Sequence, residues 1–213
     1  MVGICTVDDV IDVMKQEATE DFSKMAAITP STKPYDKLGV FELVKARSPW
    51  LMLLMISATF THLIIEGYEE ALELVPVLYA AIPMLMDTAG NAGAQSSTTL
   101  VRALSLGEIG FGDIHKVIWK EIRVSVLCGL VLAIVNLGRM IIFTGTDVLV
   151  ATVVSITLVF IVFMAKAVGC VLPIFAQKLK LDPAVMSATV VTTIADILAL
   201  IVYFNIARLL LRI

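Results

Sequence analysis

Asp196 stands in the middle of an apolar run, SATVVTTIADILALIVYF, with Thr189, Thr192 and Thr193 one to two turns ahead of it. Thr189, Thr192 and Asp196 follow the i, i+3, i+7 spacing that puts side chains on one stripe of a helix. Hydroxyls ending in one carboxylate suit a hydrated cation. An ionised carboxylate at membrane depth costs a few kcal/mol at least, so Asp196 has to face the interior of a helix bundle, paired or wet. The plainer alternative is an Asp hydrogen-bonded to a neighbouring helix.

A second polar stretch, PMLMDTAGNAGAQSSTTLVR, occupies residues 83–102 and is fed by an apolar run over 72–86. It is filled with Gly, Ala, Ser and Thr, plus Asp87, Asn91 and Gln95. Unpaired polar groups in hydrocarbon cost several kcal/mol, so this stretch faces protein or a wet pathway. Small residues let helices approach closely, while amides and hydroxyls bond across them. Gly90-Asn91 predicts a local break, because Gly tolerates unusual backbone angles and Asn competes for helix hydrogen bonds. A broken polar helix at membrane depth points to a permeation or binding site; simple helix–helix contact is the alternative. Asp87 either lines the same pathway as Asp196 or satisfies amides freed at the break. Lys166, in MAKAVGC, either pairs with a carboxylate or snorkels to the cytoplasmic side. His62 reads as a satisfied interior imidazole, and His115 lies in a charged loop.

Oxygen ligands with no His/Cys cluster favour Mg²⁺, Ca²⁺ or Na⁺ over zinc or copper. One carboxylate in one span cannot close a cage. Mg²⁺ dehydrates reluctantly and is held through its waters, which suits so sparse a site. Two chains meeting on a twofold axis would pair Asp196 with its own copy.

The elements that must position these residues are membrane elements. Of 213 residues, 59% are hydrophobic and 16% charged, with a mean hydropathy of +0.94; soluble domains are nearer half apolar and a quarter charged. The net charge of −3 gives no nucleic-acid footprint. Cys5, Cys128 and Cys170 are scattered and read as reduced small hydrophobes. The start holds no uninterrupted apolar core behind a basic flank, so no secretory signal fits.

Residues 1–26 are soluble in character: a strand-like VGIC, then Thr6 as N-cap with Asp9 three residues on, then Val7, Val10, Ile11 and Met14 at helical spacing. This unit is too short to bury a core of its own and must dock on something. Its acidic residues are either a solvated face or a divalent-cation contact. Residues 27–34 read as a linker, and 35–47 as an amphipathic helix lying along the interface, with Leu38, Phe41 and Val44 on one face. Five apolar segments follow, at about 49–65, 74–103, 117–143, 148–172 and 183–211, each near the roughly 20 residues that cross the hydrocarbon. The fold class is therefore an all-α integral membrane protein of five spans, with the second broken near Gly90-Asn91.

Loop charge sets the orientation. Lys33, Lys37, Lys45 and Arg47 precede the first span; Arg102, Lys116, Lys120 and Arg123 follow the second; Lys178 and Lys180 follow the fourth. The opposite side carries Glu66, Glu69, Glu70 and Glu73. The N-terminus is expected in the cytoplasm and the C-terminus outside.

GNAGAQSSTTLVRAL, with Pro83 upstream, resembles the signature of MgtE-type magnesium channels, and DPAVMSATVVTTIADILAL from Asp182 resembles the family's last helix, whose intramembrane Asp falls on Asp196. The two motifs agree in order and position across the five spans. Residues 1–26 resemble the end of a CBS domain (GICTVDD), 27–48 a linker and gate-plugging helix, and 49–213 the pore domain. The resemblance implies a homodimeric Mg²⁺-selective channel with its pore on the dimer axis. It also implies a cytosolic region that closes the pore when internal Mg²⁺ is high. The chain departs from the pattern in lacking the N-terminal helical domain and most of the paired CBS domains, and is expected to be a fragment. It also has Thr189 where Pro is commoner, and Asp87 where many members have a small residue.

The resulting expectation is magnesium transport across a cell membrane, with Asp196, Thr192, Asp87 and Asn91 as metal ligands. Gly90, Gln95, Thr189 and Thr193 line the route. Membrane lipid and a second copy are the partners, and Mg²⁺ is both cargo and ligand. With no nucleophile–base pair or nucleotide loop, the residues argue against an enzyme. The rivals are an ion-coupled transporter using Asp87, Lys166 and Asp196, and a non-conducting membrane scaffold.

Overall fold

The computed structural model describes residues 5–31, 33–186 and 188–212, with the side chains of Ala71 and Phe111 excepted. Among the described residues it is helical, without strands. The VGIC stretch lies, but for Cys5, outside them. Helix α1 (Val7–Met25) opens with the capping box expected of Thr6 and Asp9: the Asp9 amide donates to Thr6 Oγ1 at 3.3 Å, and the Thr6 amide to Asp9 Oδ2 at 2.8 Å. The Thr6 hydroxyl hydrogen bond holds the Asp9 carboxyl below its ordinary value. α1 buries no side chain. It docks at its far end, where Lys24 donates to Asp182 Oδ2 at 2.6 Å and also pairs with Glu20.

Beyond a 3-10 turn at Tyr35–Lys37 run α2 (Val40–Glu66), the short α3 (Glu69–Leu74), α4 (Val77–Ser105), α5 (Ile114–Thr144), α6 (Val148–Lys178) and, after a 3-10 turn at Pro183–Met186, α7 (Ala188–Leu211). By length and composition α2, α5, α6 and the segment Pro183–Leu211 are each able to cross a membrane. α4 is as long, but its polar and small residues keep it outside that set. The core is built on α6, whose Val154, Leu158, Ile161 and Val162 pack with Leu85 and Ala89 of α4 and Ala195, Leu200 and Tyr203 of α7. α5 lies on the far side of α6, and α2 leans on α7 while burying no residue.

Glycine sets the closest approaches. A Cβ on Gly169 would collide with the carbonyl of Gly93, so α4 and α6 cross backbone to backbone. Polar side chains tie the helices at other levels: Tyr203 donates to the Leu78 carbonyl at 2.9 Å, and Asn136 Nδ2 to Ser155 Oγ at 3.1 Å. Among the described residues no buried side-chain nitrogen or oxygen lacks a partner, as a low-dielectric interior requires.

Three expectations are corrected. α4 is not broken at Gly90-Asn91; it is continuous through both. Gly90 and Gly93 serve close packing against α7 rather than a bend, and Asn91 is exposed, away from the backbone ladder. Residues 35–47 do not form a helix of their own. Only Tyr35–Lys37 turns, and the remainder is the start of α2, which runs on through Pro49. Pro49 removes one helix hydrogen bond, whereas a full break at the edge of an apolar run would strand several backbone groups. His62 is exposed, with Nε2 4.0 Å from Glu66 Oε2, and is not an interior imidazole.

Candidate functional site

The two polar stretches meet where α4 packs on α7. The packing is possible because Gly90 has no side chain: a Cβ there would lie 3.3 Å from Thr192 Cγ2 and 3.6 Å from Asp196 Oδ1. One turn away, a Cβ on Gly93 would lie 2.8 Å from Val191 Cγ1. The glycines thus let the stripe of α7 press against the backbone of α4. Thr192 Oγ1 and Thr193 Oγ1 both donate to the Thr189 carbonyl, at 2.9 and 3.1 Å. With their protons turned back to their own helix, both hydroxyls present lone pairs outward. Thr189, Thr192, Thr193 and Asp196 are all half-buried.

The Asp196 carboxylate meets no ammonium, guanidinium or hydrogen-bond donor among the described residues. Its electrostatic neighbour is Asp87, another carboxylate. A half-buried acid whose nearest charge has the same sign is a position that a cation relieves. Among the described residues no three His, Cys, Asp or Glu side chains converge. The oxygen atoms available are those of two carboxylates, threonine hydroxyls and amides, a donor set for a hard ion that keeps its waters.

Asp87, Asn91 and Gln95 recur every four residues on one face of α4, and all three are exposed. They open onto a groove of about 540 Å³ between α4, α5 and α6, whose inner wall includes Lys166. The candidates therefore form two adjoining groups. Gly90, Thr189, Thr192, Thr193 and Asp196 lie at the α4–α7 contact, and Asp87, Asn91 and Gln95 on the open face beside it. Asp87 links them electrostatically.

Lys166 is buried and donates to Ser96 Oγ at 3.3 Å; Ser96 in turn donates to Glu121 Oε2 at 2.7 Å. Among the described residues Lys166 makes no direct salt bridge; it reaches the Glu121 carboxylate only through the Ser96 hydroxyl, and it is buried rather than extended to the surface. Ser96 and Glu121 were not singled out in the sequence. The available signal was an acid inside the basic run HKVIWKEIR at the start of α5.

A family model described as "MgtE: Divalent cation transporter" matches residues 82–206, more than half of the chain. The chain is 39% identical over 212 residues to a magnesium transporter MgtE of Thermus thermophilus, an alignment covering 100% of the chain and 47% of that relative. It is 38% identical over 211 residues to the Bacillus subtilis magnesium transporter MgtE, covering 97% of the chain and 45% of the relative. The Enterococcus faecalis magnesium transporter MgtE is 31% identical over 215 residues, with 100% and 46% covered. The chain spans about half the length of the curated relatives it matches. These relatives are transporters rather than enzymes, and the matched region contains both polar stretches with the helices that hold them: the chain belongs to the MgtE family of divalent cation transporters.

Proposed function

We propose that the chain is the membrane part of a homodimeric Mg²⁺ channel, with the pore on the dimer axis and hydrated Mg²⁺ held at Asp196. The observation that carries this reading is the Asp196 carboxylate itself: half-buried, without a cationic partner among the described residues, and beside a second carboxylate, Asp87. Thr192 and Asn91 complete the ligand set through water, and Gly90, Gln95, Thr189 and Thr193 line the route. The names of the relatives, magnesium transporters, favour Mg²⁺ as cargo.

α4 is the second of five spans in this reading, added to the four helices that are apolar enough by composition. Its exposed face of Asp87, Asn91 and Gln95 is unsuited to lipid and favours a wet axis shared with a second copy. The basic residues before α2, between α4 and α5, and after α6 put the N-terminus in the cytoplasm and the C-terminus outside. Residues 1–26 are the end of a CBS domain and 35–47 a plug segment. Cytosolic domains of the full-length protein close the pore when internal Mg²⁺ is high. An inside-negative potential supplies roughly 2.3 kcal/mol per charge per 100 mV, enough to draw a divalent ion inward without coupling.

The test is Mg²⁺ flux into proteoliposomes at an imposed inside-negative potential, for the chain and its Asp196→Asn variant. Loss of flux in the variant, with parent flux indifferent to proton or Na⁺ gradients, is the expected result. Equal flux in both would remove Asp196 from the ion site.

A further inference from the structure

The chain Lys166–Ser96–Glu121 stands behind the polar face of α4 and takes no part in the ion site proposed above. Its three members come from three helices, α6, α4 and α5. Lys166 is 6% exposed and Ser96 4%. A hydroxyl has one proton and two lone pairs. With its proton on Glu121, Ser96 meets the Lys166 ammonium through a lone pair. The order cation, hydroxyl, anion is thereby fixed. An ammonium buried at membrane depth requires a counter-charge, and here the counter-charge arrives through the helix that carries the candidate ligands.

Ser96 adjoins Gln95 in the chain, and Lys166 walls the same groove as Asp87, Asn91 and Gln95. Successive residues of a helix are about 100° apart, so pinning Ser96 against α5 and α6 leaves α4 one rotation about its axis. That rotation turns Asp87, Asn91 and Gln95 outward together. On its other side Glu121 shares a cleft with Asp113, Lys116 and Lys120, while among the described residues lining the groove the other charged side chain beside Lys166 is Asp87.

We propose that Lys166, Ser96 and Glu121 form a hydroxyl-bridged ion pair that fixes the rotation of α4, making them positioning residues for the divalent ion. The inference rests on the reading of α4 as a wall of the ion route. The three act through α4 and do not touch the ion.

The experiment is calorimetric titration of the purified chain with Mg²⁺ in detergent, alongside proteoliposome flux per folded molecule. The variants are Lys166→Met, Glu121→Gln, their double, Ser96→Ala and Asp196→Asn. Lys166→Met, Glu121→Gln and Ser96→Ala are each expected to weaken Mg²⁺ binding at least tenfold, while the double variant, which strands no buried charge, returns to within about threefold of the parent. Ser96→Ala keeps both charges and the side-chain size, so it reads the bridge even if a charge variant fails to fold. A strut of purely structural value would lower folded yield and leave the affinity of folded molecules unmoved, which overturns the proposal. A double variant no better than either single also overturns it. Abolished binding in Asp196→Asn with the other variants unaffected sinks this inference and spares the ion site. Intact binding in Asp196→Asn with weakened binding in the others does the reverse.

Discussion

Replacing Gly93 by Ala tests whether the glycines of α4 exist for contact. The added methyl would lie 2.8 Å from Val191 Cγ1 and 3.1 Å from the Ala165 carbonyl oxygen. Val191 would have to retreat by about 0.6 Å to reach the 3.4 Å where ordinary contact begins. Val191 is fully buried, and a β-branched side chain in a helix has one strongly preferred rotamer, so it cannot swing aside. The Ala165 oxygen is backbone and moves only with α6. Overpacking of this kind costs about 1–3 kcal/mol, offset by up to about 1 kcal/mol of helix propensity gained in replacing Gly by Ala. The net is a loss of up to about 2 kcal/mol, or up to roughly 8 °C in midpoint for a chain of this size. Gly138 of α5 supplies the control. A Cβ there meets nothing within 4 Å, so Gly138→Ala keeps the propensity gain alone and should raise the midpoint by about 1–4 °C. The assay is thermal unfolding in detergent, with Mg²⁺ flux measured on the same preparations. Because Val191 directly precedes Thr192, its displacement carries Thr192 and Asp196 away from Gly90, and flux should fall in Gly93→Ala but not in Gly138→Ala. Equal midpoints and equal flux in the two variants would refute the reasoning.

Tyr203→Phe removes a buried hydroxyl that donates to the Leu78 carbonyl. It should cost about 1–3 kcal/mol in the same melts, with flux per folded molecule retained because Tyr203 lies two turns beyond Asp196; lost flux at full stability would contradict this. The docking of α1 should respond to acid. Burial pushes the Asp182 carboxyl up, but the hydrogen bonds from Lys24 and the Ala184 amide outweigh it and hold the group below its ordinary 3.8. A carboxyl lowered on folding stabilises in full above its unfolded value and loses that contribution as the pH falls through the folded one. Lys24 is raised above its ordinary value chiefly by the Asp182 hydrogen bond, so the pair also survives alkali. Asp21, raised by burial and by the nearby Asp182, gains on acidification and offsets part of the loss. The protection factors of the α1 amides, each taken against the intrinsic exchange rate at the same pH, should therefore be flat between about pH 6 and 9 and fall below about pH 4. Release of α1 already near neutrality would show that this ion pair is not its tether.

Much of the architecture was legible because the length of an apolar run is a one-dimensional signal. The fourth span, expected over 148–172, is α6 over Val148–Lys178, and the Thr6–Asp9 cap was readable from a spacing of three. Gly90-Asn91 was misread for a definite reason. Glycine marks either an unusual backbone angle or a close neighbour, and the sequence around it is the same in both cases. What decides is the atom opposite, here Thr192, a hundred residues further along the chain. The division between 35–47 and a span from about 49 was also misplaced, since proline at 49 removes one hydrogen bond without ending the helix. The Lys166–Ser96–Glu121 chain was out of reach, because no spacing rule links residues on three different helices. Its lysine could be flagged as anomalous, but its partners could not be named.

With α4 as a span, as proposed, its three faces make different demands on their surroundings. Towards α7 it offers glycine, and its polarity is hidden by contact. Towards α5 and α6 it offers Ser96, saturated by a cation on one side and an anion on the other. The third face carries Asp87, Asn91 and Gln95, all exposed, and opens onto the groove beside α5 and α6. Hydrocarbon cannot satisfy those amides and that carboxylate, so in a bilayer this face has to meet water, an ion or a second copy of the chain. A helix saturated on two sides and open on the third cannot be lipid-facing packing material. The neighbouring Asp196, whose closest charge is another carboxylate, gives the open side its sign. Both features fit the cation route proposed above.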